Sequence, residues 1–209
     1  MIDQDLLTEL QYALLEPPDG GQNWPSDLWT REEVLEGVDQ GLRALLRGTS
    51  IQTARTELAV LANATSVTLP ADWMATAFCV WRTLAGVRVP LGPVDAAEGD
   101  LAAPGWDSTP GAPLGYDEFE GPTLTLRLVP TPAVNGTLEL LYIPKPAATQ
   151  GEGGTIPVPD VFLSGIKYTA LGWLLSKLSR TQDPEREQYC AKRVQVATIA
   201  ANILMGGLA

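Results

Sequence analysis

Apolar residues recur at helical spacing near the start of the chain. Residues 2–15 place leucines on one helical face, and the pattern stops before a Pro-Pro pair, which predicts a short amphipathic helix because proline cannot continue one. Thr30 and Glu33 then have the spacing of a capping box, and an apolar stripe follows to about Arg47. The pattern predicts two helices in the first fifty residues.

The C-terminal part shows the same periodicity. Asp160 is predicted to cap a third helix that ends near Ser179, and Asp183-Pro184 to begin a fourth, with the proline at a tolerated first-turn position. The fourth helix carries two apolar strips. They consist of Cys190, Val194, Ala197, Ala201 and Leu204 in the first and of Val196, Ile199 and Ile203 in the second. Two apolar strips predict two packing neighbours for this helix. The second neighbour is either a separate subunit or, if the helix is central and buried, another part of the same chain.

Between the helices the period changes to two. The segments "TELAVLAN", "SVTLP" and "AFCVWRTL" alternate as short strands do, and "TLTLRLVP" and "TLELLYI" predict a hairpin joined through Asn135-Gly136. Residues 92–121 are rich in Gly, Pro, Ala and acidic residues, so they are predicted to be a long excursion without an element of their own.

The order of these elements predicts an α+β fold. We expect a helical bundle made from the N- and C-terminal helices, residues 1–50 and 156–209, with an inserted antiparallel β region at 51–155. Long Pro/Gly-rich loops belong to this inserted region, since the chain has 20 Gly and 17 Pro and most of them lie between its strands.

The charge of the chain argues against tight binding to nucleic acid. Fourteen basic and 25 acidic residues give a net charge of −11, and sequence-independent binding to phosphates needs clustered Lys and Arg. A channel through which DNA passes without binding is still compatible with this composition. No segment has the length and apolarity of a membrane span, and the N-terminus lacks the pattern of a signal peptide, so we expect synthesis and folding in a cytosol.

Catalytic residues are not apparent. The chain has no histidine, which excludes the usual Ser-His-Asp and Cys-His systems and ordinary zinc hydrolysis. Asp117, Glu118 and Glu120 are a possible acid and base set, but a solvated acidic loop is the favoured interpretation. Residues 95–100 resemble a calcium loop only weakly because the usual ligand positions are missing.

Nucleotide motifs are absent as well, since the sequence has neither GxxxxGK[ST] nor GxGxxG after a strand. Cys79 and Cys190 stand alone in apolar surroundings and are predicted to be buried thiols and not a disulfide. We therefore predict a protein that is not an enzyme and that needs no cofactor or metal.

Four tryptophans are candidates for packing or for subunit contacts. Trp24 and Trp29 stand just ahead of the second predicted helix, where an aromatic residue can staple the entering chain onto a bundle. Trp173 lies on the third predicted helix, and Trp106 ends the segment "LAAPGW". Packing is the favoured interpretation for Trp24 and Trp29 because large aromatic side chains are mostly core or interface anchors.

Three segments together resemble the head-to-tail adaptor proteins of tailed bacteriophages, including the tail tubular A class. They read "NWPSDLWTREEVLEGVDQGLRALL", "TSVTLPADWM" and "VPDVFLSGIKYTALGWLLSKL". In that family a Trp opens an early helix, a strand ends in a Leu-Pro-x-Asp turn, matched at residues 69–72, and a Pro-Asp cap, matched at residues 158–160, starts a late helix. "LAAPGW" also suits the family's central loop.

The resemblance implies a structural virion protein. Such adaptors form a ring, usually of twelve copies, docked under the portal vertex, with a tail or stopper protein on the other side and a channel through which phage DNA passes without specific binding. It implies assembly in the host cytoplasm and a final place at the head-tail junction of the virion, with no membrane contact. The alternatives are another tail ring component, such as a stopper or tail terminator, a binding module, or a carboxylate-based hydrolase.

The last residues of the chain are candidates for docking on the portal. The ending carries no charge beyond Arg193 and is too apolar for a solvated terminus unless something covers it. The candidate residues are Ile199, Ile203, Leu204, Met205 and Leu208. The alternative is that this segment folds back on the protein's own helices.

Overall fold

Helices and strands separate into two units. The computed structural model describes residues 3–14, 28–95, 105, 109–120, 123–149, 154–177 and 182–206. Residues 1–52 and 146–209 form one compact unit and residues 53–145 the other. The elements of the first are helices α1 (Asp3–Ala13), α2 (Arg31–Thr49), α3 (Leu163–Ser176) and α4 (Pro184–Gly206), with a 3-10 turn at Asp160–Phe162. The mixed α+β class predicted from the sequence is confirmed.

The two N-terminal helices form where the periodicity predicts them. The buried face of α1 consists of Leu6, Leu7 and Leu10, followed by Leu14. The predicted capping box of α2 is present, because Thr30 Oγ1 accepts from the Glu33 N–H at 3.2 Å and Glu33 Oε2 accepts from the Thr30 N–H at 2.9 Å. The Thr30 N–H, followed by the ammonium of Lys177, holds the pKa of Glu33 below its usual value.

Helix α3 is the centre of the helical unit. It packs against α1, α2 and α4 through buried residues that include Ile166, Ala170 and Leu174. Its start differs from the prediction, because Asp160 is the first residue of the 3-10 turn and Phe162 is the residue that precedes α3. The helix ends at Ser176 and not near Ser179, which lies outside the described residues.

Gly41 sets the closeness of α2 and α3. A Cβ at this position would lie 2.6 Å from the carbonyl oxygen of Ile166 and 3.2 Å from its Cα, so the contact is with backbone that has little freedom to move. Gly48, on the same helix, is different: a Cβ there would meet only the Cγ2 of Thr198 at 3.4 Å. The first glycine is needed for helix packing and the second is not.

Gly41→Ala is therefore expected to destabilise the helical unit by about 1–3 kcal/mol, the usual cost of overpacking, despite the higher helix propensity of alanine. Gly48→Ala is the matched control and is expected to raise stability by up to about 1 kcal/mol, since the propensity gain meets no clash. Thermal unfolding followed by circular dichroism measures both. Melting temperatures that shift in the same direction for the two variants would contradict this packing account.

Helix α4 begins as the sequence predicts. Pro184 is its first residue, and Asp183 Oδ1 accepts from the N–H of Arg186 at 3.0 Å. Its first apolar strip packs against α3, because Cys190 and Ala201 are buried and Ala197 is half-buried. One of the two predicted neighbours of α4 thus belongs to the same chain.

The second unit is a seven-stranded sheet with the order β1-β7-β3-β4-β5-β6-β2. Its strands are β1 (Ala54–Val60), β2 (Val67–Thr68), β3 (Trp73–Thr83), β4 (Arg88–Pro93), β5 (Gly115–Glu120), β6 (Leu124–Val129) and β7 (Gly136–Pro144). All seven strands contribute to one core around the fully buried Trp81, Leu126 and Leu138. The sheet therefore encloses its own hydrophobic core.

The predicted hairpin between the last two strands is wrong. Strand β7 pairs with β1 and β3, whereas β6 pairs with β5 and β2. Pro130 and Pro132 follow β6 and have no N–H for a ladder, so the connection leaves the sheet. Asn135 then accepts from the backbone N–H of Ala62 at 2.7 Å, which places the start of β7 beside β1.

The prediction of an excursion without elements at residues 92–121 is also wrong. Strand β4 runs to Pro93 and pairs in parallel with β5, with Gly92 opposite Gly115. A Cβ at Gly115 would lie 2.2 Å from a methyl group of Val94, so glycine here permits close packing between strands. The Gly and Pro content misled the prediction because these residues occur in paired strands and at close contacts as well as in loops.

Candidate assembly surfaces

The carboxylates considered for catalysis do not form a site in the described residues. Asp117 and Glu118 are consecutive on strand β5 and therefore point to opposite faces, which corrects the interpretation of this segment as a loop. Asp117 lies 3.7 Å from Arg127 Nη2, and Glu118 is exposed. The side chain of Glu120 is outside the described part of the structure.

Both cysteines are free and buried, as predicted. Burial, with a smaller contribution from the charge of Glu118, raises the pKa of the Cys79 thiol to about 12. Burial also raises the pKa of Cys190. Thiols of this kind stay protonated and are poor nucleophiles at neutral pH.

Metal ligands do not cluster in the described ranges, where no group of three or more Cys, Asp and Glu side chains is placed to hold an ion. Of the weak calcium-loop pattern at residues 95–100, only Asp95 lies within those ranges.

Alkaline pH should destabilise the sheet. Burial raises the pKa of Cys79 from 9.0 and that of Tyr116 from 10.0, each to about 12. Both folded pKa values lie above the unfolded ones, so both groups contribute fully to stability below about pH 9. The contribution of Cys79 falls above about pH 9 and that of Tyr116 above about pH 10, each by at most about 1.4 kcal/mol per pH unit. Urea unfolding between pH 8 and 11 should show this decline. In the Tyr116→Phe variant the unfolding free energy should decline less steeply with pH. An equally steep decline in wild type and variant would be incompatible with the burial of a protonated phenol.

The second apolar strip of α4 is exposed. The exposed fractions are 62% for Val196, 60% for Ile199 and 68% for Ile203. Leu204 is exposed and Met205 is half-buried, while Leu208 lies outside the described residues. Val196, Ile199 and Ile203 are therefore not covered by the helices described in this chain, so α4 is not a central buried helix.

A groove runs beside this strip, between α4 and the start of α3. Its walls include Val161, Tyr168, Val196 and Leu204. Arg193 lies over the ring of Tyr168, with 5.2 Å from its Cζ to the ring centroid. The groove is apolar and carries a single cation at its edge.

The candidate tryptophans differ in their burial. Trp29 is buried, with 4% of the residue exposed. Trp173 is half-buried: its ring covers Gly37 of α2, and the ammonium of Lys177 lies 4.1 Å from its centroid. Trp24 and Trp106 lie outside the described residues.

An arginine cluster on the sheet was not predicted from the sequence. Glu139 of β7, with a side chain only 7% exposed, accepts from Arg55 of β1 at 3.1 Å and from the Nε of Arg82 of β3 at 3.1 Å, and also pairs with Arg88 of β4. Glu57 of β1 accepts from Arg82 at 2.7 Å. We call these five residues the arginine cluster. The partners of Glu139 become evident only from the strand order.

Comparison with known proteins gives one clear relationship. The family model described as SU10 adaptor protein matches residues 4–201. A solved structure described as the neck of an empty GTA particle computed with C6 symmetry aligns at 13% identity over 86% of this chain and 83% of that chain, with a TM-score of 0.30. No curated protein has significant similarity to the chain. None of the helices in the described ranges has the length and apolarity to cross a membrane.

Proposed function

The chain belongs to the SU10 adaptor protein family, a family of head-to-tail adaptors of tailed bacteriophages. From this premise we propose that it forms a ring between the portal vertex and the tail. The match over residues 4–201 carries the proposal, because it spans both the helical and the sheet unit. The role is structural, as the description of the family as an adaptor supports.

The ring encloses the exit channel for phage DNA. A net charge of −11 supports this part of the proposal, because each Lys or Arg contact to a phosphate would add affinity through counterion release and slow the passage of the duplex. DNA passes without specific binding. The protein joins the particle in the host cytoplasm and stays at the head-tail junction.

Twelve copies form the ring, and their helices pack side by side around it. In each copy the N- and C-terminal helices form a bundle, and the sheet unit is an insertion between them in the sequence. A ring of identical subunits is built from heterologous contacts, so each copy presents two different faces. Arg55 and Arg88 on the sheet are exposed groups available for such contacts.

The end of α4 docks on the portal protein. The exposed Ile199, Ile203 and Leu204 support this step, because a contiguous row of large aliphatic side chains in water is typical of a surface that another protein covers. Met205 and Leu208 extend the same apolar ending. The opposite side of the ring receives a tail or stopper protein.

Electron microscopy of particles assembled without the protein tests the function. Heads that package DNA but do not retain it or join tails are the expected result. Particles that keep their DNA and carry tails of abnormal length would assign the chain to a tail terminator instead, and normal infectious particles would exclude a role in the neck.

A further inference from the structure

The positive charge of the arginine cluster exceeds the negative charge of its carboxylates. Three guanidinium groups meet Glu139 and Glu57, so the cluster carries one net positive charge. The chain as a whole carries −11, so its remaining groups carry −12. The cluster is thus a local positive site on an otherwise acidic protein.

Two of the arginines are fixed in position and still open to solvent. Arg55 and Arg88 both donate an Nη2 to the same oxygen of Glu139, yet their side chains are 62% and 57% exposed. A guanidinium has five N–H donors, and among the described residues Glu139 is the one ion-pair partner of each of these two arginines. Because Glu139 already holds them, little side-chain entropy is lost when a second carboxylate binds.

A matching pair of carboxylates lies on helix α2. Glu32 and Glu36 are exposed, one helical turn apart, and neither has an ion-pair partner among the described residues. Side chains at this spacing are about 5–6 Å apart at Cβ, which fits two guanidinium groups that share one oxygen. Their neighbour Glu33 differs, because its carboxylate already accepts hydrogen bonds from the Thr30 N–H and the Lys177 ammonium.

We propose that the arginine cluster of one copy binds Glu32 and Glu36 of the adjacent copy, an inference that rests on the ring proposed above. The contact is heterologous, since a sheet of one subunit meets a helix of the next, and such contacts close into rings. It also offsets the repulsion between neighbouring copies of an acidic chain.

The first test compares assembly of the full chain with and without the two exposed arginines. Arg55→Gln with Arg88→Gln leaves Glu139 its ion pair with Arg82 and places amide N–H donors near its second oxygen, so the variant should stay folded, which its melting temperature checks. Mass photometry of mixtures with portal measures assembly at several protein concentrations. Rings of this variant should require a concentration at least about tenfold higher than rings of the wild type. Lys145→Gln with Lys192→Gln removes the same charge from exposed lysines outside the cluster and should assemble as wild type does.

A charge exchange identifies the partner residues. One variant carries Arg55→Glu and Arg88→Glu, and the other carries Glu32→Arg and Glu36→Arg. Neither should form rings alone, because each places like charges across the contact. An equimolar mixture should form rings in which the two variants alternate, since every contact is then complementary.

The outcomes separate this inference from the proposed function. Wild-type protein that stays monomeric with portal at every concentration would contradict the ring itself. Wild type that assembles together with an equally competent Arg55→Gln, Arg88→Gln variant would contradict only the arginine contact. Defects that the mixture does not repair, in variants whose melting temperatures show that they are folded, would show that the cluster binds something other than α2. A loss of DNA affinity with assembly unchanged would assign the cluster to phosphates.

Discussion

Replacing Ile199 and Ile203 by aspartate is expected to abolish attachment of the protein to the portal. Both side chains are at least 60% exposed on α4, so they contribute little to the stability of the isolated chain. In an interface, each aspartate would be a buried charge without a partner, which costs several kcal/mol. Co-purification of the variant with portal measures the effect, and the expected loss of affinity is at least about a hundredfold, on the order of 3 kcal/mol.

The control uses the same change elsewhere on the surface. Leu61 and Val134 are 70% and 55% exposed in turns of the sheet unit, and Leu61→Asp with Val134→Asp should leave portal attachment intact. Melting temperatures of both double variants should stay near that of wild type, as is usual for exposed positions. A strongly destabilised Ile199→Asp, Ile203→Asp variant that still joins portals would show that this strip packs within its own chain.

Trp81→Ala is expected to destabilise the sheet unit by about 3–5 kcal/mol. The indole is 1% exposed, and its ring carbons would lie 2.4 and 2.5 Å from a Cβ at Gly136, so β7 is built against it. Removing the ring leaves a cavity that this closely paired strand cannot fill. Chemical denaturation followed by far-ultraviolet circular dichroism measures the loss.

Trp173→Ala is the comparison for this substitution. Trp173 is half-buried, so its truncation removes less contact and should cost clearly less than that of Trp81. Equal losses for the two variants would argue that Trp173 is covered by another subunit under the conditions of the measurement.

The helices could be predicted from the sequence because their signals are local. The capping box at Thr30 and Glu33, the Asp183-Pro184 start of α4 and the leucines of α1 each define an element within a few residues of chain. The start of α3 was misplaced because a 3-10 turn takes the position that the Pro-Asp pattern assigned to a cap.

Strand pairing depends on contacts between residues that are distant in the chain, so it could not be predicted from the sequence. Asn135-Gly136 has the composition of a hairpin turn, yet Gly136 lies opposite Val60 and Thr83, residues that no local pattern connects to it. The two glycines at 92 and 115 likewise indicated a loop and instead pair with each other. The arginine cluster was missed for the same reason, since Arg55, Arg82 and Glu139 come from strands far apart in the chain.

The most direct test of the account is the mass of the complex that the full-length chain forms with purified portal. Native mass spectrometry should find portal carrying twelve copies of the 22.3-kDa chain, in one closed assembly. Portal without bound chain, in a mixture where the chain remains a folded single copy, would contradict the claim that this protein is a ring adaptor.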